Sequence, residues 1–269
     1  MTVNNFEAFL QSLEFPKACE LNKPVFKKMF LDASDGKKSV LDAADKASLK
    51  EDVEKIRWLY TLKPNTINIA PYKDDELEYL EIAVLHIELS NPNRAKRIAH
   101  FIHRAIPYPL MLLFTCTMTH DREEQERLMV AIAFKRTNQA DREKWVINDS
   151  MNTGWIDLSN TSETESDFLS SLKLTGLPFN NFYLFYQAIA KRVVAVICAE
   201  HSNVFSLDEG ASKGSENRLD KLREFDKLTA NKSELANKLK KEKQMGKQVD
   251  LNTQIKNIND KIAKVKSSL

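Results

Sequence analysis

Three charged residues in the centre of the chain could form a metal-dependent site for phosphodiester cleavage. Restriction-endonuclease-like folds place an acidic residue on one strand and Glu-x-Lys on the next, to hold magnesium and orient the attacking water. Here Asp74 or Asp75 precedes a predicted strand that ends in Glu88-Leu89-Ser90, with serine in the place of the lysine. Lys135, at the end of a neighbouring predicted strand, could supply the missing ammonium group. The alternative is that Asp75 lies in a solvated acidic turn and that Glu88 is an ordinary strand-end charge.

Three histidines suggest a second chemistry, the binding of zinc. His86 lies on the same predicted strand as Glu88, and His100 and His103 lie three residues apart on the helix predicted to follow it. Their imidazoles could converge on one ion. No cysteine or further helix completes a recognised zinc motif, and histidines beside an apolar helix face are common. We therefore expect no resident cofactor, with Mg²⁺ bound only under the nuclease interpretation.

Composition argues against several other classes of protein. Gly-rich phosphate loops and dinucleotide fingerprints are absent, the chain contains only 6 glycines, and nothing in it supports nucleophilic catalysis. The 3 cysteines are far apart, which indicates a reducing compartment without a disulfide framework. We find no signal peptide and no apolar run that approaches the ~20 residues of a membrane helix. The expectation is a cytoplasmic protein without a membrane segment, more consistent with a non-catalytic role than with an enzyme.

The order of the predicted elements is typical of an α/β (α+β) protein with a mixed sheet flanked by helices. The helix predicted at 48–60 rests on Leu49, Val53, Ile56 and Tyr60, which recur at helical spacing. Together the elements form an α/β body at residues 1–205. Helices are predicted at 4–14, 48–60, 94–105, 168–174 and 180–200, and strands at 66–70, 80–89, 110–116, 128–135, 145–147 and 154–158.

A charged helical tail at residues 216–269 follows a predicted linker at 206–215. From Leu251 to Leu269 apolar residues recur at intervals of four and three, typical of a helix that buries a narrow stripe against another helix. When the heptad repeat that includes Leu235 is extended toward the C-terminus, it is two residues out of phase with the repeat that includes Leu251. A continuous coiled coil does not absorb such a slip easily.

Glycine near the slip favours a helical hairpin over one long helix. Gly246 lies where the phase changes, and glycine is favoured just past a helix C-terminus but costs about 1 kcal/mol inside a helix. We predict helices at 216–244 and 249–268, joined by a turn at Gly246. The alternative is one long helix that forms a coiled-coil dimer.

The tail is also the most basic part of the chain. It contains 14 Lys and Arg against 8 Asp and Glu, whereas the remainder contains 26 against 30. Such a tail could contact an acidic protein or a DNA backbone, although it lacks the aromatic residues and dense arginine of many nucleic-acid-binding segments. The predicted partner-binding residues are Leu235, Leu239, Lys240, Lys241, Lys243, Gln244, Val249, Leu251, Ile255, Ile258 and Ile262.

Four segments together resemble the bacterial domain-of-unknown-function family 4391. They are IRWLYTLKPNTINI (56–69), AIPYPL (105–110), AIAFK (131–135) and KKEKQMGKQVDLN (240–252). Members of that family are often encoded beside DNA methyltransferases and superfamily-2 helicases in restriction or anti-phage islands. The resemblance supplies no catalytic residues to transfer.

The resemblance implies an accessory subunit of a DNA-targeting defence system. We expect a non-catalytic assembly protein that docks on a helicase or DNA methyltransferase partner through the tail, with possible DNA contact through the tail's lysines. Two alternatives stay open. One is the metal-dependent nuclease that uses Asp75 and Glu88, and the other is a structural protein that assembles with itself through a coiled coil.

Overall fold

The computed structural model describes residues 3–32, 34–35, 38–39, 41–120, 123–138, 145–207 and 212–266. The chain divides into two compact units, Met1–Val193 and Val194–Leu269, with the division inside the helix Phe182–Ser202. Predicted elements that fall on the remaining residues, including residues 208–211 of the predicted linker and the tail's last residue, Leu269, lie outside the described part of the chain.

Strands and helices alternate along the first unit, and helices alone make up the regular structure described in the second. The strands are β1 (Glu20–Pro24), β2 (Ser34–Asp35), β3 (Lys38–Ser39), β4 (Val53–Leu62), β5 (Tyr72–Lys73), β6 (Glu78–Tyr79), β7 (Ile82–Leu89), β8 (Leu110–His120), β9 (Glu123–Thr137), β10 (Trp145–Asn152) and β11 (Ile156–Asp157). The helices are α1 (Phe6–Ser12), α2 (Lys27–Leu31), α3 (Ala43–Glu51), α4 (Pro64–Ile67), α5 (Ala95–Ala105), α6 (Glu163–Ser171), α7 (Phe182–Ser202), α8 (Ser212–Lys241) and α9 (Met245–Lys266).

The first unit is built on a seven-stranded mixed sheet, which confirms the predicted α/β class. Its strand order is β1-β4-β7-β8-β9-β10, and β11 pairs with β9 beyond the end of β10. Only the pairing of β7 with β8 is parallel, and α5 connects these two strands. The other neighbours in the sheet run antiparallel.

The segment predicted as a helix at 48–60 is a helix end followed by a central strand. Helix α3 stops at Glu51, and β4 starts at Val53 and pairs with β1 on one edge and β7 on the other. Ile56 is buried and Trp58 half-buried on the face that packs with α5, as a pleated strand requires. The strand predicted at 66–70 is also wrong, because Pro64–Ile67 forms a short helical turn that ends at Asn68 with φ of 56°.

One face of β7 forms the main apolar core with α5. Ala83, Leu85 and Ile87 are fully buried on this face, as are Ile98 and Phe101 of α5. Since successive side chains of a strand point to opposite faces, His86 and Glu88 lie on the other side of the sheet. This alternation determines which of the candidate site residues can meet.

Helix α7 contributes a buried hydroxyl that closes the end of the β8–β9 ladder. The last paired residues there are Met111 and Ile132. One position beyond them, the Tyr186 hydroxyl donates to the carbonyl oxygen of Leu110 at 2.7 Å and accepts from the amide of Ala133 at 3.1 Å. Burial raises the pKa of the Tyr186 hydroxyl, so it stays protonated and able to donate.

Replacing Tyr186 with phenylalanine is expected to lower the free energy of unfolding by about 2–3 kcal/mol. The change leaves a buried amide and a buried carbonyl without their partner, at a cost of about 1–3 kcal/mol for each such group. Chemical denaturation measures the change. Tyr183→Phe is the matched control because Tyr183 is half-buried and stacks on Tyr72 through its ring. Equal losses in both variants would contradict the role of the Tyr186 hydroxyl.

Helix α7 is also long and apolar enough to cross a membrane, by length and composition alone. This differs from the prediction that no apolar run approaches the length of a membrane helix. In the structure Phe182, Phe185, Tyr186 and Ile189 are at most 1% exposed, and the Tyr186 hydroxyl bonds to sheet backbone. Core helices of soluble proteins have the same composition, and packing against the sheet accounts for it here.

The tail forms the predicted hairpin, with α8 and α9 packed against each other. The turn is three residues earlier than predicted, at 242–244, and Gly246 is the second residue of α9. The Glu242 carboxylate accepts from the amides of Lys243 at 2.8 Å and Gln244 at 2.9 Å. The Gln248 side chain donates to the Glu242 carbonyl at 2.7 Å. The turn is therefore held by Glu242 and Gln248, and it accounts for the slip in phase.

Because Gly246 lies inside α9, Gly246→Ala is expected to stabilise the hairpin by about 0.5–1 kcal/mol. A Cβ built on Gly246 has no heavy atom within 4 Å. Alanine would therefore lower the entropy of the unfolded chain and favour the helix without a clash. Thermal unfolding monitored by circular dichroism at 222 nm measures the shift. A lower melting temperature would contradict this placement of the turn.

Candidate functional site

The three charged residues proposed for metal-dependent cleavage are not brought together. Asp75 lies in the turn between β5 and β6, and its carbonyl accepts from the Thr137 hydroxyl at the end of β9, at 3.3 Å. Glu88 pairs with Thr115 along β8, which in turn pairs with Leu128 of β9. From Leu128 to Thr137, β9 spans roughly 30 Å at about 3.3 Å per residue. Asp75 and Glu88 therefore lie at opposite ends of the sheet.

Lys135 has a structural partner on the other face of the sheet. It is 3% exposed, and its Nζ donates to the carbonyl oxygens of Ile106 and Tyr108, each at 2.6 Å. These two carbonyls belong to the segment that joins α5 to β8. Burial lowers the pKa of Lys135 to about 7. The side chain is therefore held by the segment that joins α5 to β8 and does not reach Glu88, which pairs with Lys55 at 3.3 Å.

The histidines considered for zinc lie on opposite faces of the sheet. His103 of α5 is 1% exposed among core residues. Burial lowers its pKa well below the usual value. On the other face, the His86 Nε2 lies 2.7 Å from the Thr115 hydroxyl, and burial lowers the His86 pKa to about 4. Within the described ranges, no group of three or more His, Cys, Asp or Glu could hold a metal ion.

A row of polar side chains beside α1 is not predicted by the sequence patterns. His86 lies opposite Arg57 in the β4–β7 register, and Phe6 of α1 covers the imidazole with a centroid distance of 4.2 Å. The Phe6 amide donates to the Glu126 carboxylate at 2.7 Å. A strand at 53–62 can bring Arg57 next to His86 on the neighbouring strand. The helix predicted at 48–60 cannot. These contacts hold α1 against the sheet, and the row contains both a basic residue, Arg57, and an acidic one, Glu126.

The spacing Gly-x-Ser-x-Gly, which surrounds the nucleophilic serine of many hydrolases, occurs at residues 210–214. Its Ser212 is the first residue of α8, and residues 203–207 before it form no strand. The nucleophile elbow of hydrolases requires a strand, a sharp turn and then a helix. Residues 208–211, where that turn would lie, are outside the described part of the chain, and we assign the motif no role.

Most of the predicted apolar partner-binding residues are used to close the hairpin. We call this set the hairpin seam. Leu235 of α8 and Ile258 of α9 are each 8% exposed, less than most residues of the two helices. Counted outward from the turn, Leu235 lies opposite Leu251, as expected for antiparallel helices. The other seam residues, Leu239, Leu251, Ile255 and Ile262, are half-buried.

The remaining predicted partner-binding residues surround the turn, at residues 240–249, which we call the hairpin tip. Two apolar side chains are unusually exposed there, Met245 at 79% and Val249 at 59%. The acidic residue of the tip, Glu242, is engaged by the turn amides, and the hydrogen bond from Gln244 is the main cause of its lowered pKa. The exposed polar residues of the tip are Lys240, Lys241, Lys243, Gln244 and Lys247.

The tip thus combines four lysines with two apolar side chains at the end of two packed helices. Helix α8 has 30 residues and α9 has 22, and the two are packed together. Ordered side chains on helices lose less conformational entropy on binding than those on a free loop. The arrangement can bind an acidic surface that offers an apolar pocket.

Comparison with known proteins places the whole of this arrangement in one family. Residues 13–262 match the family model described as Domain of unknown function (DUF4391), which covers the sheet, the seam and the tip. No curated protein and no solved structure matches the chain. The match includes all four segments on which the sequence resemblance rested. The chain therefore belongs to the DUF4391 family.

Proposed function

We propose that this protein is a non-catalytic accessory subunit that docks on a larger protein through its hairpin tip. The observation that carries the proposal is the division of the tail's apolar residues. Those of the seam, such as Leu235 and Ile258, are covered within the hairpin, whereas Met245 and Val249 stay exposed among lysines. A hairpin needs no exposed apolar side chains at its turn for its own stability.

The chemistry of the tip defines the surface it would bind. Four lysines within eight residues give a concentrated positive field, which speeds encounter with an acidic surface and selects against basic ones. Met245 is flexible and polarizable, so it suits an apolar or aromatic pocket of irregular shape. Val249 would extend that contact along the first turns of α9. The partner is thus an acidic protein surface with an apolar pocket.

The family suggests where such a partner is found. The family resemblance implies neighbouring helicase and DNA methyltransferase genes, so we propose a helicase or methyltransferase subunit of a bacterial restriction or anti-phage complex as the partner. This assignment also implies a cytoplasmic location. Contact of the tip lysines with DNA in the assembled complex is compatible with their exposure, because lysine is a good counterion for phosphate. No catalytic step is assigned to the chain.

Charge reversal at the tip is expected to weaken capture of the partner. The test uses co-expression with the helicase and methyltransferase encoded beside the gene, followed by affinity purification. Lys240→Glu, Lys241→Glu and Lys243→Glu together should weaken the complex by about tenfold or more, as loss of electrostatic complementarity does at charged interfaces. Val249→Asp alone should weaken it as well, through the loss of an apolar contact.

The matched control places the same charge change on α9 away from the tip. Lys256, Lys261 and Lys266 are exposed on α9, and reversing all three to glutamate should leave the complex intact. Normal capture by the tip variant would disprove the docking role. Equal losses in both variants would show general electrostatic attraction instead of a specific surface. A tip variant that keeps its protein partner but loses DNA binding would assign the tip to nucleic acid.

A further inference from the structure

The sulfur-containing side chains of this protein differ greatly in their exposure to solvent. All 3 cysteines are buried. Met111 and Met129 are at most 2% exposed, and Met151 is 6% exposed. Met245 at the hairpin tip, by contrast, is 79% exposed. An oxidant dissolved in water therefore reaches the thioether of Met245 far more easily than these other sulfur atoms.

Burial also makes the cysteines poor competitors for an oxidant. The form of cysteine that reacts with peroxides is the thiolate. Burial raises the pKa of the Cys19 thiol, and it raises the pKa of Cys116 and Cys198 to about 11. At neutral pH these thiols therefore keep their protons. A thioether has no proton to lose, so access to the sulfur decides how readily methionine is oxidised.

The surroundings of Met245 leave its side chain open to solvent. Met245 is the first residue of α9, and a Cβ built on the adjacent Gly246 would have no heavy atom within 4 Å. Val249 lies four residues further along α9, on the same side of the helix, and is also exposed. The two side chains thus form a small apolar surface among the tip lysines, and the sulfur atom is part of that surface.

We propose that Met245 is a site of reversible oxidation by peroxides, and that its sulfoxide switches off docking through the hairpin tip. The inference rests on the proposed function, because the docking surface is the one assigned there. With hydrogen peroxide, the Met245 sulfur gives two electrons to one peroxide oxygen and forms an S=O bond. The O–O bond breaks, and the second oxygen leaves as water with both hydrogens of the peroxide.

The sulfoxide weakens docking because it changes the chemistry of the contact. Its oxygen is a hydrogen-bond acceptor, and an apolar pocket that suits the thioether offers that oxygen no donor. We expect the oxidised tip to bind its partner about tenfold more weakly. Because the Met245 side chain is largely exposed, it contributes little to the packing of α8 against α9, so the hairpin should stay folded.

The modification can be reversed by chemistry that bacteria possess. Methionine sulfoxide reductases, one for each epimer of the sulfoxide, return the thioether. Two thiols supply the two electrons and two protons, the sulfoxide oxygen leaves as water, and the thiols become a disulfide. Docking would therefore fall during exposure to peroxide and recover once thiol reductant is available.

The first measurement follows the oxidation itself and needs no partner. The purified chain is treated with hydrogen peroxide, and peptide mass spectrometry gives the amount of sulfoxide at each methionine over time. Met245 should oxidise at least about tenfold faster than Met111 and Met129, because burial shields those two. Circular dichroism should show unchanged helix content once Met245 is oxidised. Equal rates at all three methionines, or loss of helix, would overturn the proposal.

The second measurement follows docking. The oxidised chain is freed of peroxide and mixed with the separately purified helicase and methyltransferase encoded beside the gene. Capture by the wild type should fall about tenfold, and both reductases with dithiothreitol should restore it. Met245→Leu removes the sulfur, so peroxide should not change its capture relative to the same variant before treatment. Met29→Leu is the matched control, because Met29 is 46% exposed and lies outside the tip, and this variant should lose capture on treatment as the wild type does.

The outcomes distinguish the switch from the docking function on which it rests. If the untreated wild type captures neither protein, the proposed docking function is wrong and the switch is wrong with it. If the untreated chain captures a partner and the oxidised chain captures it equally well, only the switch is overturned. A loss of capture when Met245→Leu is treated would assign the effect to another residue, and it would overturn the proposal as well.

Discussion

Ile258→Asp is expected to separate α8 from α9 and to lower the free energy of unfolding of the hairpin by about 4 kcal/mol. Ile258 is 8% exposed in the hairpin seam. The substitution removes a buried branched side chain, worth about 2–5 kcal/mol, and places a carboxylate among apolar neighbours. Leu235→Asp on the facing helix should act in the same way. Hydrogen exchange of amides in 218–266 measures the loss of protection.

The hairpin tip supplies a control with the same substitution. Val249→Asp changes a residue 59% exposed on the same helix, so its effect on hairpin stability should be within about 0.5 kcal/mol. It should nevertheless weaken capture of the partner. The two variants therefore separate stability from docking. If Ile258→Asp leaves amide protection unchanged, or if Val249→Asp melts the hairpin, the division between seam and tip is wrong.

The central α/β segment could be predicted because its signals are local. The turn at 91–93, the apolar face of α5 and the apolar run that forms β8 each lie within a few residues. A strand, a helix and a parallel strand follow from that order. The seven-stranded extent of the sheet could not be predicted, because β1 and β4 are joined to it by contacts between distant parts of the chain.

Strand β4 shows why spacing alone was insufficient. Val53, Ile56 and Tyr60 recur at intervals that suit a helix, but the segment also contains many β-branched and aromatic residues. Such residues favour strands when a neighbour is available on each edge. Here β1 and β7 provide those neighbours, and irregular register between Trp58 and Tyr60 disturbs the alternation. Tertiary pairing thus overrode a plausible helical pattern.

The tail was predicted more accurately than the body, except for which helix covers its apolar stripe. The intervals along Leu251, Ile255 and Ile258 indicated a stripe covered by another helix, and the slip in phase indicated a turn. Spacing cannot show whether the covering helix belongs to the same chain. In the structure it does, which moves the candidate docking surface from the stripe to the tip. The turn was misplaced because Glu242 and Gln248 hold it, and glycine does not.

The candidate catalytic residues failed for a geometric reason. The position of a residue in the sequence does not show on which face of a sheet its side chain lies until the register of the strand is known. Lys135 points toward α5, and Glu88 points to the opposite face. Asp75 is displaced along the sheet, beside Thr137. What the sequence could not show for Lys135 is its complete burial, and this burial has a measurable consequence.

Raising the pH from 7 is expected to stabilise the protein through Lys135. Burial lowers its pKa to about 7 in the folded chain, against about 10.4 when it is unfolded. Between these values the unfolded chain holds a proton that the folded chain has lost, so unfolding takes up a proton and becomes less favourable as the pH rises. The gain approaches about 1.4 kcal/mol per pH unit, and up to about 4–5 kcal/mol over the full window. Below pH 7 both states are protonated and this contribution is constant.

Comparison with Lys135→Met isolates this contribution between pH 7 and 8.5. Above that range the buried thiols act in the opposite direction, since burial raises the pKa of Cys116 and Cys198 to about 11. Over 1.5 pH units the unfolding free energy of the wild type should rise by about 2 kcal/mol relative to the variant. Methionine removes the donor to Ile106 and Tyr108, so the two proteins differ in absolute stability, but only the wild type should gain from Lys135. Parallel curves from denaturant titrations would show that Lys135 keeps an ordinary pKa and that solvent reaches its ammonium group.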